Sequence, residues 1–354
     1  MLILQKDRTV KYLYITFYLL VLAACGGESD DPIDIIDQPN DDTTIVSFDS
    51  LKFFNNQVAA NPGNSDWLFK RAVYSLGKGN AASSKADLEL AMRFDSMNMD
   101  VHLLYGNLQL SMTHLDTSKF HYEYILERDS SNTGALIGMS KLYALLNNSA
   151  MADIYISSAL TVDPYMAEAY FMRGIVYRSD YYETARQESW DIAVSSFQTC
   201  VEQDPDYYSA YIEMGVMYDQ AGSELSLEYY NSALDIFPES QEAWYNIGMY
   251  HQTRGNVNKA LSAYTTLNEL DSAWADPYYN QGYLHLLMTK DLDSAIYYFT
   301  KATDLDPEYF QAYNNLGLAY ETKGDLDNAK KSYQLAVEAN PDFQLAKDNL
   351  DRVK

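Results

Sequence analysis

Residues 310–343 read FQAYNNLGLAYETKGDLDNAKKSYQLAVEANPDF. Tyr313, Leu316, Gly317 and Tyr320 recur at helical spacing along one face of a first helix. Gly324-Asp325 breaks that helix, and a second amphipathic helix carries Ala329, Tyr333 and Ala336 on its inner face. Pro341 ends it by removing an amide donor. The stretch predicts a helical hairpin, whose apolar stripe needs something outside itself to pack against.

Working outward, the same pattern returns. Pro62, Ser96, Ser130, Pro164, Pro205, Pro238, Ser272, Pro307 and Pro341 fall 34, 34, 34, 41, 33, 34, 35 and 34 residues apart, each after a helical pattern. A small residue recurs in the first helix of each copy, as Gly106, Gly174, Gly215, Gly248, Gly282 and Gly317, with Ala72 and Ser140 in two copies. Ser84, Ser118, Ala152, Ala193, Ala260, Ala295 and Ala329 are the matching small residues of the second helices. Two helices meet closely at such positions, and a large side chain would force them apart.

These residues resemble the tetratricopeptide repeat consensus over residues 65–343, in copies 65–98, 99–132, 133–166, 167–207, 208–240, 241–274, 275–309 and 310–343. The resemblance implies an all-α fold: a right-handed superhelical solenoid of about eight hairpins with capping helices, filling residues 47–354. Residues 49–60 and 344–354 read as the front and back caps. Copy 208–240 lacks one residue, so its second small slot falls at Ser226 or Leu227, and copy 275–309 has one too many. Copy 167–207 holds seven extra residues near RSDYYETARQESW, read either as an extended helix or longer loop, or as a contact site exposing Tyr181, Tyr182 and Trp190.

The first 24 residues read as an address label. Lys6, Arg8 and Lys11 precede an apolar run from Tyr12 to Ala24, a signal-peptide layout. That run would cover about 20 Å as a helix, short of a hydrocarbon core of roughly 30 Å. Leu22-Ala23-Ala24-Cys25 resembles the bacterial lipobox, which implies cleavage before Cys25 and its lipidation. The resemblance implies three acyl chains, enough for stable anchoring. Residues 26–46 contain seven carboxylates, two prolines and no basic residue, the composition of a solvated tether on the lipidated 25–46 segment. The acidic run also resembles the export tags of surface-displayed lipoproteins in some Gram-negative bacteria. It lacks the glycine and terminal glutamate of an EF-hand loop. The expected place is therefore the cell envelope, lipid-anchored in the outer membrane and surface-exposed or periplasmic.

The whole chain of 354 residues carries 50 acidic and 25 basic side chains, a formal charge of −25. Loss of the leader leaves 22 basic against 49 acidic residues, so the exported part is more acidic still. Such a chain has little with which to displace counterions from phosphate backbones, which argues against nucleic acid as a partner. Cys25 and Cys200 are the only cysteines, and with Cys25 lipidated no internal disulfide can form.

No catalytic constellation emerges, and no cofactor or metal is expected. His251 and His285 take the slot of Tyr320 and read as core or near-core residues. His114 lies in a turn and His121 a helix further on, without a third ligand at zinc spacing. Cys200 takes the slot of Ala233 and Ala302, a buried small apolar side chain rather than a nucleophile. In the family the first helices line a concave wall. The residues placed there are Phe69, Phe171, Ile212, Tyr245, Met249, Tyr279, Tyr283, Asn314 and Leu318, a mostly apolar surface. Lys141, Asn107 and Asn314 are the only residues of the kind that grips a peptide carboxylate, so a carboxylate clamp is not expected. The resemblance implies an anchored protein–protein scaffold or adaptor that holds a partner segment. The alternatives are an envelope enzyme and a purely structural surface lipoprotein.

Overall fold

The computed structural model describes residues 50–353 and contains 18 α-helices and no strand among them. The segments expected to be a leader, a lipobox and an acidic tether lie outside the described residues. The described residues divide into two compact units, with the boundary between residues 203 and 204 of the chain.

In the first unit α1 (Ser50–Ala60) precedes four hairpins: α2 (Ser65–Gly77) with α3 (Ala81–Phe94), α4 (Met99–Ser111) with α5 (Leu115–Leu126), α6 (Thr133–Leu145) with α7 (Ser149–Val162), and α8 (Ala167–Thr184) with α9 (Gln187–Gln203). In the second unit the hairpins are α10 (Tyr208–Gln220) with α11 (Leu225–Ile236), α12 (Gln241–Thr253) with α13 (Val257–Leu270), α14 (Ala275–Leu284) with α15 (Leu292–Leu305), and α16 (Phe310–Lys323) with α17 (Leu326–Ala339). The last helix, α18 (Gln344–Arg352), packs on α17. Within each unit a helix packs most against its hairpin mate and next against the helix that follows.

Local chemistry sets both kinds of turn. Each of the eight hairpin turns has one residue at positive φ: Gly79, Thr113, Asn147, Ala185, Gly222, Gly255, Lys290 and Gly324. Glycine reaches that region without a Cβ penalty, and the four other residues accept strain there. At the junctions between hairpins, the residue before the periodic Pro or Ser folds back on the chain. Asp95, Asp129, Asp163, Asp204, Asp271, Asp306 and Asn340 each accept a hydrogen bond from the backbone N–H two residues on. This Asx turn explains why the period survives where serine replaces proline.

The hairpin core is a small-to-large exchange. A Cβ added at Gly106, Gly174, Gly215, Gly248, Gly282 or Gly317 would fall within 2.9 Å of the ring of Tyr122, Phe197, Tyr230, Tyr264, Phe299 or Tyr333 respectively. Each ring stands one turn after the small residue of the second helix, and those small residues are fully buried. Where the slot holds Ala72, the corresponding residue is Leu88, in the same core cluster.

The irregular copies resolve simply. The extra residue of copy 275–309 is taken up by a π-helical turn at His285–Thr289, the usual accommodation of a one-residue insertion. In copy 208–240 the fully buried small residue is Ser226, with one residue lost before it. The seven extra residues of copy 167–207 lengthen both helices, to 18 and 17 residues. Asp180 pins their end by accepting from Arg186 at 2.7 Å and from the Ser189 hydroxyl. Tyr181 packs edge-on against Trp190 at 5.2 Å, and with Tyr182 all three are partly buried instead of exposed.

Candidate protein-binding face

First helices of consecutive hairpins touch at α4–α6, α6–α8 and α10–α12, and Asn315 of α16 reaches Tyr279 of α14, so burial decides which wall residues remain available. Four of the nine expected residues are closed off. Phe171 is 2% exposed and packs on Phe197 of its own hairpin at 5.7 Å. Ile212 is 3% exposed in a cluster with Ala243 and Ile247 of the next first helix.

Tyr279 is 4% exposed, stacks on Tyr309 at 4.9 Å and accepts a hydrogen bond from Asn315 at 3.0 Å. Asn314 is 3% exposed, and its side-chain oxygen accepts from Asn349 of α18 at 2.8 Å. These four residues hold neighbouring elements together and do not present a contact surface. The position within the repeat sets the side of the helix, while the next repeat covers that side more deeply than a consensus suggests.

The other five are partly exposed. Phe69 stands alone in the first unit. In the second unit Tyr245 and Met249 on α12, Tyr283 on α14 and Leu318 on α16 come from three successive first helices. Trp274, which no consensus position singled out, packs against Tyr245 with ring centroids 5.2 Å apart and planes tilted by 31°. Its signal was a lone tryptophan in an inter-repeat turn. The Met249 sulfur lies 3.3 Å from the Tyr264 hydroxyl, whose single proton goes to Gln252 at 3.0 Å. Burial pushes the Tyr283 hydroxyl above its ordinary value, so this phenol stays neutral and protonated.

The polar wall residues of the first unit are engaged internally. Lys141 is 9% exposed and pairs with Glu168 on α8 at 2.8 Å, and Asn107 accepts from the Tyr122 hydroxyl at 2.7 Å. Neither is placed to grip a carboxylate. Among the described residues no group of three or more His, Cys, Asp or Glu side chains could hold a metal ion, and no helix is long and apolar enough to cross a membrane. Cys200 is fully buried, His251 is 6% exposed, and His285 stacks on Tyr298 at 5.4 Å. Two histidines that the sequence left scattered, His102 and His121, lie side by side.

Residues 241–273 and 310–343 match the family model "Tetratricopeptide repeat", and residues 289–324 match a second model, "TPR repeat". The chain carries tetratricopeptide repeats. BBSome complex member BBS4 of Bos taurus is 30% identical over 135 residues, 38% of this chain and 26% of that protein. Mitochondrial import receptor subunit TOM70 of Rattus norvegicus is 23% identical over 260 residues, 70% of this chain and 38% of that protein. The chain spans about a quarter of the length of the first curated relatives that its tetratricopeptide repeats match. A chain of the crystal structure of the APC/C hetero-tetramer Cut9-Hcn1 matches with a TM-score of 0.50 and 18% identity, over 86% of this chain and 59% of that one. At that identity the likeness is one of fold.

Proposed function

We propose that this chain is a non-catalytic, lipid-anchored scaffold that holds a segment of a partner protein against Tyr245, Met249, Tyr283 and Leu318. The observation that carries the proposal is the row itself: three successive first helices leave large apolar side chains partly exposed, while the neighbouring wall positions are filled by packing. Tetratricopeptide repeats and relatives named as a complex member and a receptor subunit fit a protein partner. Tyrosine and methionine suit such a surface, since both are enriched at interface cores and the flexible thioether of methionine adapts to irregular contacts. The chain's formal charge of −25 favours a partner segment carrying positive charge, which would also speed encounter at low salt. Anchoring rests on Cys25 in its lipobox-like setting and places the scaffold at the cell envelope, in the outer membrane.

Alanine at both Tyr245 and Tyr283 tests the row. Each ring contributes about 2 kcal/mol if the partner desolvates it, close to 30-fold in affinity. The double variant should lose the partners recovered with the parent by crosslinking in intact cells, and keep its melting midpoint within a few degrees. Unchanged partner recovery would refute the assignment.

A further inference from the structure

His102 on α4 and His121 on α5 are 6% and 7% exposed, and their Nδ1 atoms stand 2.7 Å apart. The surroundings fix which ring donates. His102 Nε2 lies 3.1 Å from the Ser96 carbonyl oxygen, which can only accept, so His102 carries its proton on Nε2. Its Nδ1 is then an acceptor, and His121 donates from its own Nδ1. The same Ser96 oxygen accepts from the Tyr124 hydroxyl at 2.8 Å, and the Tyr124 ring stacks on His102 at 4.1 Å. Tyr105 and Phe120 pack edge-on against His121, at 4.9 and 5.2 Å. The pair therefore joins both helices of one hairpin to the turn that links it to the preceding hairpin.

We propose that the His102–His121 pair is a proton-operated latch, closed near neutral pH and released in mild acid. One added proton leaves a single N–H between the two rings. A second would set N–H against N–H at 2.7 Å, and the contact would have to open. Charged groups around the pair do not remove this limit. Asp95 in the preceding turn favours a charged His102, and Arg128 in the turn after α5 opposes it. Glu89 on α3 is tied to the Tyr105 hydroxyl at 3.0 Å, Lys141 on α6 pairs with Glu168, and the Lys119–Glu123 pair of α5 is exposed.

Burial, then the neighbouring His102, lowers His121 from 6.5 to about 4, and burial also lowers His102. A ring whose folded value is depressed binds protons first in the open state. Closure is complete above 6.5 and is lost as pH falls toward 4. From His121 alone, opening rises about 30-fold between pH 8 and pH 5.

Hydrogen–deuterium exchange of the full chain in detergent, corrected for the chemical exchange rate, reads the latch directly. Peptides from 99–126 should show the about 30-fold rise in opening between pH 8 and pH 5, while peptides from 310–343, which contain no histidine, should not change. Changing His102→Gln together with His121→Asn keeps amide donors and removes both titrating rings, so the rise should vanish. A rise of the same size in the double variant, or none in the parent, overturns the proposal. If the double variant is already open at pH 8, nitrogen NMR of the parent decides: neutral rings with Nε2–H on His102 and Nδ1–H on His121 at pH 5.5 support the latch. Two rings titrating near 6.5 overturn it.

Discussion

The glycine slots offer the sharpest test of the packing. A Cβ at Gly248 would stand 2.5 Å from Tyr264 Cε1, 2.9 Å from Cδ1 and 3.0 Å from Cζ. The ring has nowhere to go: Tyr264 is fully buried, and its hydroxyl donates to Gln252 at 3.0 Å. On helix propensity alone, Gly248→Ala would stabilise α12 by about 1 kcal/mol. Overpacking at a filled site costs about 1–3 kcal/mol, so the net change should be a loss of about 0–2 kcal/mol, with Gly248→Leu at the top of that range or beyond. Urea unfolding followed by circular dichroism measures it.

The first hairpin suggests the rescue, since there Ala72 is matched with Leu88. Combining Gly248→Ala with Tyr264→Leu should cost less than the sum of the single changes, by about 1–2 kcal/mol of coupling. If Gly248→Ala instead raises stability by its propensity gain, the ring is not what keeps the slot empty and the reasoning fails.

Three further outcomes are expected. Asn349→Ala strips the buried Asn314 oxygen of its donor, which should cost about 1–3 kcal/mol and expose α18 to proteolysis. Hydrogen bonding from Arg352 holds the Glu321 carboxyl below its ordinary 4.5, so that stabilisation is present above 4.5 and lost as pH falls through the folded value. The difference in melting midpoint between the parent and Arg352→Ala should be flat at neutral pH and shrink below 4.5. Cys25→Ser, motivated by the lipobox-like Leu22-Ala23-Ala24-Cys25, should move the protein out of the membrane fraction or leave it unprocessed. Parent-like processing and fractionation would refute the lipid anchor.

The hairpins were legible because their punctuation is local. Glycine at several turns, and Asp or Asn before the periodic Pro or Ser, act within two or three residues of themselves, so the chain displays them directly. The small slots were equally visible. What fills them was not, since Tyr264 lies 16 residues after Gly248 and meets it only once the hairpin closes. The wall was misjudged for a related reason. A repeat position fixes which way Tyr279 points along its helix, but its burial depends on Tyr309 at the far end of its own copy and on Asn315 of the following repeat. His102 and His121 stood 19 residues apart on different helices, with no spacing motif to join them.

The central claim, that the partly exposed row on α12, α14 and α16 is where a partner lies, is tested most directly by site-specific photocrosslinking in intact cells. A photoreactive amino acid would replace Tyr283 in one variant and the exposed Lys330 of α17 in another. The account predicts a discrete crosslinked product from Tyr283 that weakens when Tyr245→Ala is added, and none from Lys330. Equal products from both positions, or none from Tyr283, would contradict it.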